Sequence, residues 1–142
     1  MTRLTLQQAN RIIEAALAKA REMKIKPLGL VVLDESGHLK AAQREDAASM
    51  FRIEVATGKA WAAVGMGASS RVLAARAKDN PNFFITLAAT AQGKFLPQTG
   101  AVLIRNASGE LLGAAGASGG TGEEDEAVCK YGIEQAGFVA EV

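Results

Sequence analysis

Arg44, Asp46, Arg52 and Lys59 are side chains whose types and spacing suit acid–base and anion chemistry. An arginine presents a planar fork that binds a carboxylate through two parallel hydrogen bonds. A lysine or aspartate within reach of the same ligand can give or take a proton. Arg44 and Asp46 close a strand-like run, and Arg52 and Lys59 follow two helical turns apart on a narrow basic stripe. The set describes a site for a small carboxylate metabolite, with Arg44 orienting it and Lys59 or Asp46 acting as acid or base. The plainer reading of Arg44 is a surface ion pair with Asp46 or Glu45.

A second constellation lies in Glu110-Leu-Leu-Gly-Ala-Ala-Gly-Ala-Ser-Gly-Gly-Thr-Gly-Glu-Glu-Asp125. This stretch begins as a strand of small residues, turns at Gly119-Gly120 and enters a helix. Glycine inside a strand marks a close approach by another backbone or a ligand, which singles out Gly113 and Gly116. Thr121 with Glu124 three residues on forms a capping box. Backbone N–H groups at Gly119, Gly120 and Thr121 are then candidates to hold an anion or a carboxylate. The plainer reading is an ordinary strand-to-helix turn whose dipole Glu123, Glu124 and Asp125 already satisfy.

The remaining reactive side chains carry less. His38 is the sole histidine, so a two-histidine metal site is excluded, and His38 itself is a weak metal candidate beside its reading as a solvated strand residue. Cys129 shares a helix face with Val128 and Ile133, where a thiol behaves as a small hydrophobe. The Ala115–Gly120 run resembles a dinucleotide fingerprint only superficially. That fingerprint needs a parallel strand-helix-strand unit, and no strand is expected after the last helix.

Length and charge narrow the class. The 142 residues fit one domain, 1–142, with a core of useful size. Sixteen basic residues against fifteen acidic ones, with no basic stripe of the required size, argue against a nucleic-acid partner. The apolar run at Leu28–Leu33 is far too short to span a bilayer, so no membrane partner is expected. One cysteine permits no internal disulfide, and no leader is visible, so a cytoplasmic chain is the expectation.

The elements that must position these residues are legible from periodicity. Thr5 and Gln8 cap a helix to about Lys24, with Ala9, Ile13, Ala16, Leu17 and Ala20 on one stripe. Leu28–Leu33 and His38–Arg44 form a hairpin about Asp34-Glu-Ser-Gly37. The same turn chemistry recurs 72 residues later as Asn106-Ala-Ser-Gly109, between Ala101–Arg105 and the small-residue strand. Between the hairpins, Ser49 caps a helix from Met50 to about Val64, closed by Gly65 and Gly67. That helix is apolar on most sides and must be covered on most sides. A short helix from Ser69 or Ser70 to about Lys78 follows. Asn80-Pro81 opens another through Phe83, Phe84, Leu87 and Ala91, with Gly93 as its stop. The last helix spans Gly122 to about Ala136, and Gly132 within it predicts close packing on a backbone. Helices and hairpins in this order define an α+β domain, an antiparallel sheet with helices on its faces.

Leu111–Glu126 resembles the C-terminal signature of the GlcG/HbpS family, and Val32–Ala47 is similar to that family's first hairpin. Gly58-Lys59-Ala60 falls where the family's helical lysine-alanine motif is expected. The same domain forms the C-terminal part of PduO-type cobalamin adenosyltransferases. The resemblance covers nearly the whole chain. It implies a profilin-like sheet of about five strands, assembly into homo-oligomers that are often octamers, and haem or a related tetrapyrrole as ligand in some members. Two departures stand out: Ala47 and Ala48 occupy a position where glycine is expected, and Phe95–Gly100 replaces a double-glycine-proline approach to the third strand. Two functions follow, a small-ligand-binding oligomer and an enzyme acting on a small carboxylate.

Overall fold

The computed structural model describes residues 3–142. Its strands are β1 (Gly29–Asp34), β2 (Leu39–Arg44), β3 (Ala101–Arg105), β4 (Leu111–Ser118) and β5 (Val139–Glu141). They pair antiparallel throughout, in the order β2-β1-β4-β3-β5. The expected α+β, profilin-like sheet with helices on its faces is the fold observed. β5 corrects the expectation that no strand follows the last helix. It joins the sheet as a short antiparallel edge beside β3, with Arg105 opposite Val139 and its guanidinium ion-paired with the Glu141 carboxylate. The unit is therefore not the parallel one that a dinucleotide fingerprint requires.

The two hairpin turns form the same hydrogen bonds. Asp34 Oδ1 accepts from the N–H groups of Ser36 and His38, and Asn106 Oδ1 accepts from those of Ser108 and Glu110. Such side-chain-to-backbone bonds are why Asp and Asn begin turns. In each hairpin the register shifts by one residue beside the turn, at Leu33 and at Arg105.

The helices are α1 (Leu6–Glu22), α2 (Phe51–Met66), α3 (Ser70–Asp79), α4 (Pro81–Thr90) and α5 (Gly122–Gln135), of which α1, α2 and α5 cover the sheet and α4 packs on α3. α1 and α5 bury Ile12, Ile13, Val128 and Ile133 against Leu30, Val32, Val102 and Ile104 on one face. α2 lays Ala56, Ala60 and Ala63 on Val31, Leu33, Leu103 and Ala114 on the other. Because both faces are covered, β1 reads as an unbroken apolar run. A Cβ at Gly116 would run into the Ala56 carbonyl, so glycine there lets α2 lie close to β4. Gly132 does the same where α5 meets the Ile12 carbonyl of α1.

Capping differs in detail from the expectation. The boxes at Thr5/Gln8 and Thr121/Glu124 form in full. At α2 the N-cap is Met50, and Ser49 Oγ accepts from the Phe51 N–H one residue too early to cap. Asn80 makes no side-chain cap bond, and Pro81 alone begins α4 as expected. Gly65 lies within α2, which continues to Met66 and ends at left-handed Gly67. Among the described residues, no helix is long and apolar enough to cross a membrane.

Candidate functional site

Lys59 sits in the middle of α2 among Ala56, Gly58, Ala60, Ala62 and Ala63, and is itself only 6% exposed. A buried ammonium requires partners. Its Nζ donates to the Ala117 carbonyl at 3.1 Å and to Asp125 Oδ2 at 3.2 Å. Asp125 belongs to the first turn of α5 and is 1% exposed. Its Oδ1 accepts from the Gly120 N–H at 3.0 Å. Burial pushes the Asp125 carboxyl above the usual carboxylate range, and the nearby Lys59 charge and the Gly120 N–H offset only part of that.

One helical face also carries Arg52, whose Nη1 donates to Ser118 Oγ at 3.0 Å. Arg52 and Lys59 therefore converge on consecutive residues at the end of β4. Close approach by α2 makes this possible, since a Cβ at Gly29 would lie 2.8 Å from the Arg52 carbonyl carbon. Gly29 pairs directly with Ser118 in the sheet. Leu96, Gln98, Thr99 and the first turn of α5 complete an open cleft of about 430 Å³, lined also by Arg52, Val55, Lys59 and Ser118. The Arg52 guanidinium and the Ser118 hydroxyl suit an anionic oxygen, Lys59 already balances Asp125, Glu123 adds a second carboxylate to the lining, and Val55 and Leu96 suit a short apolar body.

The structure brings together some of the expected residues and separates others. Lys59 and Gly120 line this cleft, whereas Arg44 and Asp46 line a different one with Arg21, Pro27 and Glu45. Arg44 pairs with neither acid of its own strand end. Its Nη1 donates to the Ala48 carbonyl at 2.6 Å, while Glu45 pairs with Arg21 at 2.9 Å and accepts from the Leu28 N–H. Gly119, Gly120 and Thr121 line a third depression with Lys24 and Lys26. Two of their N–H groups are already occupied, Gly120 by Asp125 and Thr121 by Glu124. Gly119 has φ +144°, the left-handed side that favours glycine, and faces the Pro27 carbonyl. The turn thus holds its own carboxylates first.

Asp125 and Ser118 were not singled out by sequence. Asp125 reads there as one of three acids at a helix start, and nothing local distinguishes it from Glu123. Its partner lies 66 residues away. The useful signal was Lys59 itself, a charge on the small-residue face of an otherwise apolar helix. His38 projects from the β1–β2 hairpin, its side chain 80% exposed and 3.9 Å from Asp34. Cys129 is fully buried, and burial together with the neighbouring Asp125 raises its thiol pKa, so it is an inert core group. Among the described residues no group of three or more His, Cys, Asp and Glu could hold a metal ion.

Fold and cleft define a profilin-like α+β protein with a polar cleft between a central helix and the start of the last one. The chain belongs to the family described as haem degrading protein HbpS-like, whose model matches residues 4–134. Corrinoid adenosyltransferase PduO from Citrobacter freundii is 28% identical over 130 residues, covering 92% of this chain. The chain spans only 38% of that relative's length. The crystal structure of HbpS superposes with a TM-score of 0.81 at 26% identity, over 94% of this chain and 90% of the other. The PduOC:heme complex gives a TM-score of 0.87 at 24% identity, over 99% and 100%.

Proposed function

We propose that this protein binds a small carboxylate-bearing ligand in the cleft between α2 and α5, and that it does so as a cytoplasmic homo-oligomer. The observation that carries the reading is the convergence of Arg52 and Lys59 on Ser118 and Ala117. Arg52 offers five N–H donors, one of which is held by Ser118. Among the described residues the rest of the fork makes no hydrogen bond, which leaves it to take a carboxylate in two-point fashion. The sole cysteine, buried and unpaired, is compatible with a reducing compartment. Exposed apolar side chains on α4 support the assembly.

Haem, suggested by the family and by the PduOC:heme complex, fits the cleft poorly. Axial ligation needs His, Cys, Met or Tyr, and none of these lines it. His38 lies instead on the exposed hairpin, and Tyr131 lies against Lys19 on the α1–α5 side. A calorimetric panel of small mono- and dicarboxylates, run beside a haem titration, tests the proposal. Arg52→Gln, which keeps an N–H donor but loses the charge and the two-point fork, is expected to weaken carboxylate binding about tenfold or more. A tight stoichiometric Soret shift that disappears in His38→Ala, with no carboxylate bound, would overturn the reading.

A further inference from the structure

We infer that Lys59 is a nucleophilic lysine that forms an imine with the carbonyl carbon of a 2-oxo carboxylate, with Asp125 as its proton partner and Arg52 as the carboxylate anchor. This rests on the carboxylate reading of the cleft and names the substrate class. Three observations carry it. Lys59 is among the residues that line the open cleft, although its side chain is almost wholly buried. Its hydrogen bonds within the chain go to Ala117 and Asp125, two of the three N–H donors of an ammonium. Arg52 is held at Ser118, the residue next to the Ala117 carbonyl that holds Lys59, so both cations stand at the same end of β4.

Surroundings also favour the chemistry. A lysine desolvated in low dielectric is the usual form of an imine-forming lysine, and the step also needs a group able to take its proton. Asp125 is such a group, because burial raises its affinity for a proton. Gly100 has φ +140° and carries no side chain where Lys59 Nζ would stand 2.7 Å from a Cβ, so the amine keeps its position at the mouth of β3.

The step balances within the chain. The Lys59 ammonium passes a proton to Asp125, and the free amine attacks the carbonyl carbon. The resulting carbinolamine shifts a proton from nitrogen to oxygen. Asp125 then returns its proton as the C–O bond breaks, releasing water and leaving a protonated imine on Lys59. No oxidant or reductant takes part.

The experiment is reductive trapping of the full-length protein with pyruvate and cyanoborohydride, followed by peptide mapping. Lactate, which has the carboxylate but no carbonyl, is titrated in parallel by calorimetry and used as a competitor. The expected result is an N-carboxyethyl adduct at Lys59 about tenfold above any exposed lysine, blocked by lactate. It should be absent in Lys59→Arg, which keeps the charge, and reduced in Asp125→Asn and Arg52→Gln. Lactate and pyruvate binding without an adduct at Lys59 would overturn the imine and leave the carboxylate site standing. An adduct spread evenly over surface lysines would overturn the imine as well. An adduct at Lys59 unaffected by Arg52→Gln or lactate would keep the imine and remove the carboxylate anchor. No binding and no adduct would remove both.

Discussion

At the scale of residues, the buried Lys59–Asp125 pair decides more than any other contact. Removing one partner leaves an uncompensated charge in the interior, which typically costs about 3–5 kcal/mol. Lys59→Met should therefore lower the stability by about that much in a denaturant melt, while Lys59→Met with Asp125→Leu should recover part of it. A variant as stable as the parent would show that the pair is solvated. Titration gives a second check. The Asp125 carboxyl is raised from its ordinary value of 3.8, so the folded state holds that proton more firmly than the unfolded chain does. Its contribution to stability is therefore greatest at low pH and declines as pH rises from 3.8 through the raised value. In paired melts across that window, the stability of the parent relative to Asp125→Asn should fall with rising pH. A rise would mean that attraction to Lys59 outweighs burial.

At the scale of elements, the turn between β4 and α5 separates backbone demands from capping. Gly119 takes a positive φ and abuts the Pro27 carbonyl. Gly119→Val should lose at least the order of 1–3 kcal/mol attached to such backbone strain, and Thr121→Ala about 1 kcal/mol for one cap. Equal losses in the two melts would remove the strain assignment. Gly120 has no positive φ, yet a Cβ there would meet Ile25 Cγ2 at 2.7 Å, so its requirement is space. Features of this kind were legible in the sequence wherever the cause is local. The Thr121/Glu124 box, the Asp34 and Asn106 turns, and the close approaches at Gly116 and Gly132 all depend on neighbours or on the missing side chain itself. What stayed hidden was decided by distant partners. β5 is three residues long and exists because β3 offers an unpaired edge. Arg44 and Lys59 looked like one site because both are basic, but β2 and α2 place them in different clefts.

At the scale of the whole molecule, the distribution of apolar surface bears on assembly. α2 looked too apolar for one sheet, and the fold answers that within the chain. Its outer side is covered by Leu73 of α3, Phe84 of α4 and Phe95 of the following loop. The uncovered surface has moved outward to α4, a helix with no charged residue from Pro81 to Thr90. Phe83 is 52% exposed there and Ile85 68%. A monomer normally charges such a face, so this one is suited to meet further copies of the chain. Fully burying a Phe or Ile side chain contributes about 1.5–3 kcal/mol, and a symmetric contact counts each residue twice. Sedimentation at micromolar concentration should show a species larger than a dimer. Phe83→Ser with Ile85→Lys should dissociate it by more than tenfold, roughly the effect of losing two buried side chains, while leaving the fold intact by circular dichroism. A parent chain that sediments as a stable monomer would end the assembly proposal, and an unchanged oligomer in the double variant would move the interface away from α4 to other exposed apolar positions such as Met50 and Phe51.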